Sequence, residues 1–158
     1  VACLVGSEMC IRDRISIDKK ERYSLKREWD KSKNKILYIM LNPSLADDNN
    51  DDPTIRRLIN FSKKFNYGGF LVGNIYSTIS PNPKEVDKSD GISDKNLVEL
   101  LKLINQVEEI VYAWGNNAYE PEFLKDLVSN PKCFGKNLNG SPKHPLYLPK
   151  NIQLISYR

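Results

Sequence analysis

Three short runs, apolar almost throughout, recur along this chain at separations too long for hairpins: Ile36-Leu37-Tyr38-Ile39-Met40-Leu41, Phe70-Leu71-Val72-Gly73-Asn74-Ile75 and Ile110-Val111-Tyr112-Ala113-Trp114. A strand with one wet face alternates apolar and polar residues, so runs of this kind belong to strands covered on both faces. The intervening stretches carry helical signals. Asp52 followed by Pro53 is an N-cap with proline at the first helical position, and Ile55, Leu58, Ile59 and Phe65 follow at helical spacing, with Arg56, Arg57, Lys63 and Lys64 mostly on the other side. Tyr67-Gly68-Gly69 supplies the stop expected from a left-handed glycine cap. Ser93 precedes Leu97, Leu100, Leu101 and Ile104 in the same way, and a shorter helix is expected from Pro121 to Val128. Alternating buried strands and crossover helices predict a three-layer α/β/α sandwich around a central, mainly parallel sheet. Tyr23 to Trp29 reads as an edge strand feeding the first buried one, and Ile152 to Ile155 as a final strand.

Composition narrows the class further. At 158 residues and 40% hydrophobic, the chain fits one globular domain, and no apolar run approaches the roughly 20 residues that span a membrane. A cytoplasmic protein is expected. The first fourteen residues, VACLVGSEMCIRDR, resemble a translated sequencing-adapter read-through; residues 1–14 are expected to be a non-native leader and 15–158 the single α/β domain. With Cys3 and Cys10 set aside, Cys133 stands alone, which leaves no cysteine-rich zinc or iron–sulfur site. The net charge of +4 arises from signs that alternate along the chain, so it permits nucleic-acid contact without arguing for it.

Two turns carry the polar groups of interest. In parallel sheets ligands bind beyond the carboxyl ends of strands, where Asn42 and Ser44, Asn74, and the loop after Trp114 are expected to converge. Lys143-His144-Pro145-Leu146-Tyr147 holds the only histidine. An asparagine amide can orient a water or match a nucleobase edge, and an imidazole with a pKa near 6.5 can stabilise or protonate a leaving group. Tyr76 and Trp114 offer faces on which a base could stack. Asp47, Asp48, Asp51 and Asp52 present hard oxygen donors but lack calcium-loop spacing, and carboxylates at a helix start are favoured by the helix dipole alone; no metal or cofactor is expected. There is no phosphate-binding glycine loop and no serine-nucleophile elbow.

Four blocks in order, LNPSLADDNNDDPTIRR, GNIYSTISPNPKE, VYAWGNNA and GSPKHPLYLP, resemble the bacterial and phage family known as domain of unknown function 1643, over about Tyr23 to Pro149. More distantly, LNPS, FLVGNIYST, VYAWGNNA and KHPLYL are similar to motifs of the uracil-DNA glycosylase superfamily. That second resemblance implies a glycosylase-like fold in which Asn42 holds the attacking water, Asn74 pairs with the base and His144 contacts it at the glycosidic side. Catalytic roles for Asn42 and His144, and substrate contacts from Ser44, Asn74, Tyr76, Trp114 and Tyr147, are the resulting expectations. Ser44 stands where the superfamily has glycine, and His-Pro-Leu-Tyr replaces His-Pro-Ser. The expected partner is a nucleobase, a nucleotide or nucleic acid, and hydrolysis of an N-glycosidic bond is the reaction such a site would carry out. The rival readings are a non-catalytic nucleotide- or nucleic-acid-binding module, and a metal-assisted hydrolase using the acidic loop.

Overall fold

The computed structural model describes residues 9–15, 20–44, 52–80, 82, 84 and 92–158. In chain order the elements are β1 (Cys10–Ile15), β2 (Arg22–Glu28), β3 (Lys35–Met40), α1 (Pro53–Lys64), β4 (Gly69–Asn74), α2 (Asp94–Ile104), β5 (Glu109–Tyr112), α3 (Glu122–Leu127), β6 (Lys132–Cys133) and β7 (Ile155–Ser156). The seven strands form one mixed sheet in the order β1-β2-β4-β3-β5-β6-β7. The three buried runs are neighbours as expected, with β3 parallel to β4 on one side and to β5 on the other. The sheet as a whole is only partly parallel: β6 continues the parallel centre, whereas β1, β2 and β7 add antiparallel flanks.

Alternation along β3 divides the core. Ile36, Tyr38 and Met40 pack with Ile55, Leu58 and Phe61 of α1, while Leu37, Ile39 and Leu41 pack with Leu100 and Leu103 of α2 and Leu124 of α3. Successive side chains of a strand point to opposite faces, so the helices lie on both sides of β3 and its residues are buried from Ile36 onward. Burying each large aliphatic or aromatic side chain contributes about 1.5–3 kcal/mol. The helix starts follow the sequence signals: Asp52 accepts from the Ile55 N–H at 2.9 Å, and Ser93 from the Asn96 N–H at 3.3 Å.

Several local expectations are corrected. β2 is not an edge strand but lies between β1 and β4, and its Arg22 and Arg27 are buried beside Asp13 of β1, at 3.5 and 3.2 Å. Residues 10–14 of the expected leader are thus laddered to β2, while residues 1–8 lie outside the described residues. α1 ends at Lys64, and Asn66, two residues on, supplies with its φ of 66° the left-handed turn that glycine was expected to give. Gly68 and Gly69 serve close approach instead. A Cβ on Gly68 would collide with the Asp30 carbonyl, and one on Gly69 would lie 2.6 Å from the Arg27 carbonyl oxygen. The final strand covers only Ile155 and Ser156. No helix among the described residues is long and apolar enough to cross a membrane.

Candidate functional site

The carboxyl ends of β3, β4 and β5 are tied level by hydrogen bonds that outlast the ladders. Ile75 N–H donates to Met40 O (3.0 Å), Tyr76 N–H to Leu41 O (2.9 Å) and Ala113 N–H to Ile39 O (2.9 Å). The loops after these strands therefore leave the sheet together. Because the chain runs from β3 to β4 on one side and then to β5 on the other, they open where the strand order reverses, the usual place for a ligand.

Two adjoining cavities lie there. The inner one, about 70 Å³, is walled by Leu25, Met40, Leu58 and Val72 and carries the polar groups of Arg22 and Asn74. The outer cleft, about 530 Å³, is bordered by Asp52, Ser80, Trp114 and the Gly115-Asn116-Asn117 turn. Asn42, Ser44, Thr54 and His144 line both, and so mark the junction.

Asn74 ends β4 in register with Met40 of β3. Its side chain is 2% exposed and its Oδ1 has no hydrogen-bond partner. Its backbone carbonyl is held by Asn96 Nδ2 at 2.9 Å, so the strand end is fixed independently of the amide. A buried carbonyl oxygen left unpaired costs about 1–3 kcal/mol, which is why such atoms point to a ligand when they border a cavity.

Asn42 is oriented by its own turn. Nδ2 donates to Pro43 O (3.0 Å) and to Ser80 O (2.9 Å), which uses both amide hydrogens and leaves Oδ1 as the acceptor for a ligand or water. Ser44 is anchored at both ends: its carbonyl accepts from Arg22 Nη1 at 3.2 Å, and its hydroxyl donates to Asp52 Oδ2 in a short contact. The other Asp52 oxygen caps α1.

His144 reaches the junction from a loop held at three points. Lys143 N–H donates to Gly135 O (2.9 Å), and Arg57 of α1 donates through Nε to Pro145 O (3.3 Å) and through Nη2 to Leu148 O. Gly115, at φ 82°, leaves room for the ring's attachment, since a Cβ there would lie 3.4 Å from His144 Cβ. Leu146 N–H donates to His144 Nδ1 at 3.2 Å, so the neutral ring carries its proton on Nε2. Burial lowers the His144 pKa below its ordinary 6.5, an effect only partly offset by the Asp52 carboxylate. The ring is therefore a neutral hydrogen-bond donor at pH 7.

A depressed histidine pKa makes stability depend on pH. Below about pH 6.5 the unfolded chain takes up a proton that the folded chain resists, so stability is full above that pH and declines as the pH falls. Thermal unfolding from about pH 7.5 down to about pH 5 is expected to show a decline that is reduced in His144→Gln. An equal decline in both proteins would refute the assignment.

Trp114 borders the outer cleft, yet its ring is 2% exposed, packed against Tyr112 at 4.6 Å and Tyr157 at 6.2 Å, with Nε1 donating to Ala118 O at 3.0 Å. It shapes the wall more than it offers a stacking face. Tyr76 packs against the α2 side of the core and lines neither cavity. Tyr147 also lines neither. It is 97% exposed at φ 65°, because Leu146 turns into the cleft and Arg57 fixes the carbonyls on either side. Sequence reasoning missed Arg22, Thr54 and Ser80 as lining residues and took Asp52 chiefly as a cap. Asp47, Asp48 and Asp51 lie outside the described residues, and among the described residues no three histidine, cysteine or acidic side chains group as metal ligands.

Residues 22–146 match the family described as protein of unknown function DUF1643. The chain belongs to that family. Every described residue lining either cavity, from Arg22 to Leu146, falls within the DUF1643 span, and β1 precedes it. No curated protein and no solved structure matches the chain.

Proposed function

We propose that this DUF1643 protein binds a nucleobase joined to a sugar and hydrolyses the N-glycosidic bond between them, on a uracil-glycosylase-like α/β/α scaffold. The observation that carries the reading is the buried Asn74 side chain at the inner cavity, its Oδ1 unpaired, with Asn42 and His144 at the junction to the outer cleft. The base edge enters the inner cavity and meets Asn74, whose amide matches an adjacent N–H and C=O. The sugar occupies the outer cleft, whose volume falls in the range of about 300–1,000 Å³ typical of small-ligand pockets. The scissile bond then lies between Asn42 and His144.

The chemistry follows from the donors and acceptors present. Asn42 Oδ1 accepts a hydrogen bond from a water, whose oxygen adds to the anomeric carbon as the carbon–nitrogen bond breaks. The electron pair leaves with the base, and His144 Nε2–H donates to the negative charge that develops there. The water's proton passes to the Asp52 carboxylate, which lines the same cleft, and from there to the departed base. A panel of nucleosides and modified single- and double-stranded oligonucleotides, assayed for released base and for abasic sites, tests the reading. Base release from at least one substrate is expected. No release, together with no nucleobase binding at millimolar concentration, would dispose of it.

A further inference from the structure

The charge of the outer cleft separates nucleosides from phosphorylated ligands. Among the described residues that line it, Asp52 is the one ionised side chain, and no lysine or arginine reaches it. The remaining polar groups are neutral: Asn42, Ser44, Ser80, Asn116 and Asn117. His144 adds no positive charge at pH 7, since burial keeps its ring neutral. The positive end of α1 also opens here, but Asp52 already occupies it through the 2.9 Å bond from Ile55 N–H. An incoming phosphate would meet that carboxylate across a partly desolvated cleft, where like charges repel strongly. Nearby basic residues are engaged elsewhere: Arg22 of the inner cavity with Asp13 and Ser44 O and, on α1, Arg57 with Pro145 O and Leu148 O, Lys63 over the Trp29 ring and Lys64 with Lys150 O at 2.7 Å.

Building on the nucleobase reading above, we infer that the ligand of this site is an uncharged nucleoside, with nucleotides and nucleic acid disfavoured by the Asp52 carboxylate, which no cation among the described residues lining the cleft balances. The four common ribonucleosides, their free bases, their 5′-monophosphates and a short single-stranded oligonucleotide are titrated into the full chain by calorimetry at one fixed ionic strength. At least one nucleoside is expected to bind tenfold or more tightly than its own monophosphate. In Asp52→Asn, which keeps a good cap on α1, that gap is expected to shrink to about threefold or less; circular dichroism checks that the helix is retained. A monophosphate or oligonucleotide that binds as tightly as the nucleoside overturns the inference and leaves the nucleobase reading intact. A gap unchanged in Asp52→Asn overturns the assignment to Asp52. Failure of every base, nucleoside and nucleotide to bind overturns both.

Discussion

Asn74→Leu is expected to make the free protein more stable and its complex with the ligand weaker. Leucine nearly matches asparagine in shape, and it removes a 2% exposed amide whose oxygen has no partner, so unfolding should become harder by about 1–2 kcal/mol. For a chain of this size that is a rise of roughly 3–6 °C in Tm. The strand end should hold, because Asn96 grips the Asn74 backbone carbonyl and the Ile75 carbonyl, not the side chain. Affinity should move the opposite way, by about 100-fold, since a base edge placed against leucine loses both its hydrogen bonds and its water. Few substitutions separate the two roles so cleanly. An amide kept for folding would give a protein destabilised by leucine, whereas one kept for a ligand gives a protein stabilised by it; thermal denaturation and calorimetry read the two signs independently. A drop in Tm of several degrees would mean that Asn74 serves the fold and that the base-reading role should be withdrawn.

The sheet's centre was legible because covering both faces forces a continuous apolar pattern, and Ile36 to Leu41 has one. Its flanks were not. The partial alternation of Tyr23 to Trp29 makes β2 look like a wet edge, but Asp13 of β1 pairs with both Arg22 and Arg27, and only the ladder between those strands brings the charges together. Asp52-Pro53 announced the start of α1 because capping is a local matter of one side chain and one N–H. Its end was misread because glycine has two uses: Gly68 and Gly69 suggested a cap, whereas the structure spends them on close backbone approach and turns the chain at Asn66. The same division runs through the site. Asn42, Asn74 and His144 could be picked out as polar groups beside strand ends, and they line one cavity. Arg22 could not, because its place there depends on the pairing of β2 with β4. Tyr147 directly follows a lining residue, Leu146, yet faces solvent, a consequence of one positive φ that the sequence does not announce.

If hydrolysis is the reaction, Asn42 and His144 should govern its rate far more than its binding. Asn42→Ala removes the acceptor that orients the water, a group of use mainly in the transition state, and is expected to lower kcat by about 100- to 1,000-fold with KM changed by no more than about threefold. The same substitution also deletes the bonds to Pro43 O and Ser80 O, so the split between kcat and KM is the informative quantity. A turn that had merely loosened would raise KM as well. His144→Ala is expected to cost about 100-fold or more in kcat through loss of the Nε2–H donor. Its pH profile distinguishes chemistry from packing. In the wild type the rate should fall only once the pH drops below the ordinary histidine range, because burial holds the folded ring's pKa down and protonating Nδ1 forfeits the bond from Leu146 N–H and disturbs the loop that aims the ring. The alanine variant has no such group, and its residual rate should lose that acid limb. Were both variants to weaken binding as much as they slow turnover, Asn42 and His144 would be braces for the 41–44 and 144–147 loops, and the water and the leaving group would need other partners.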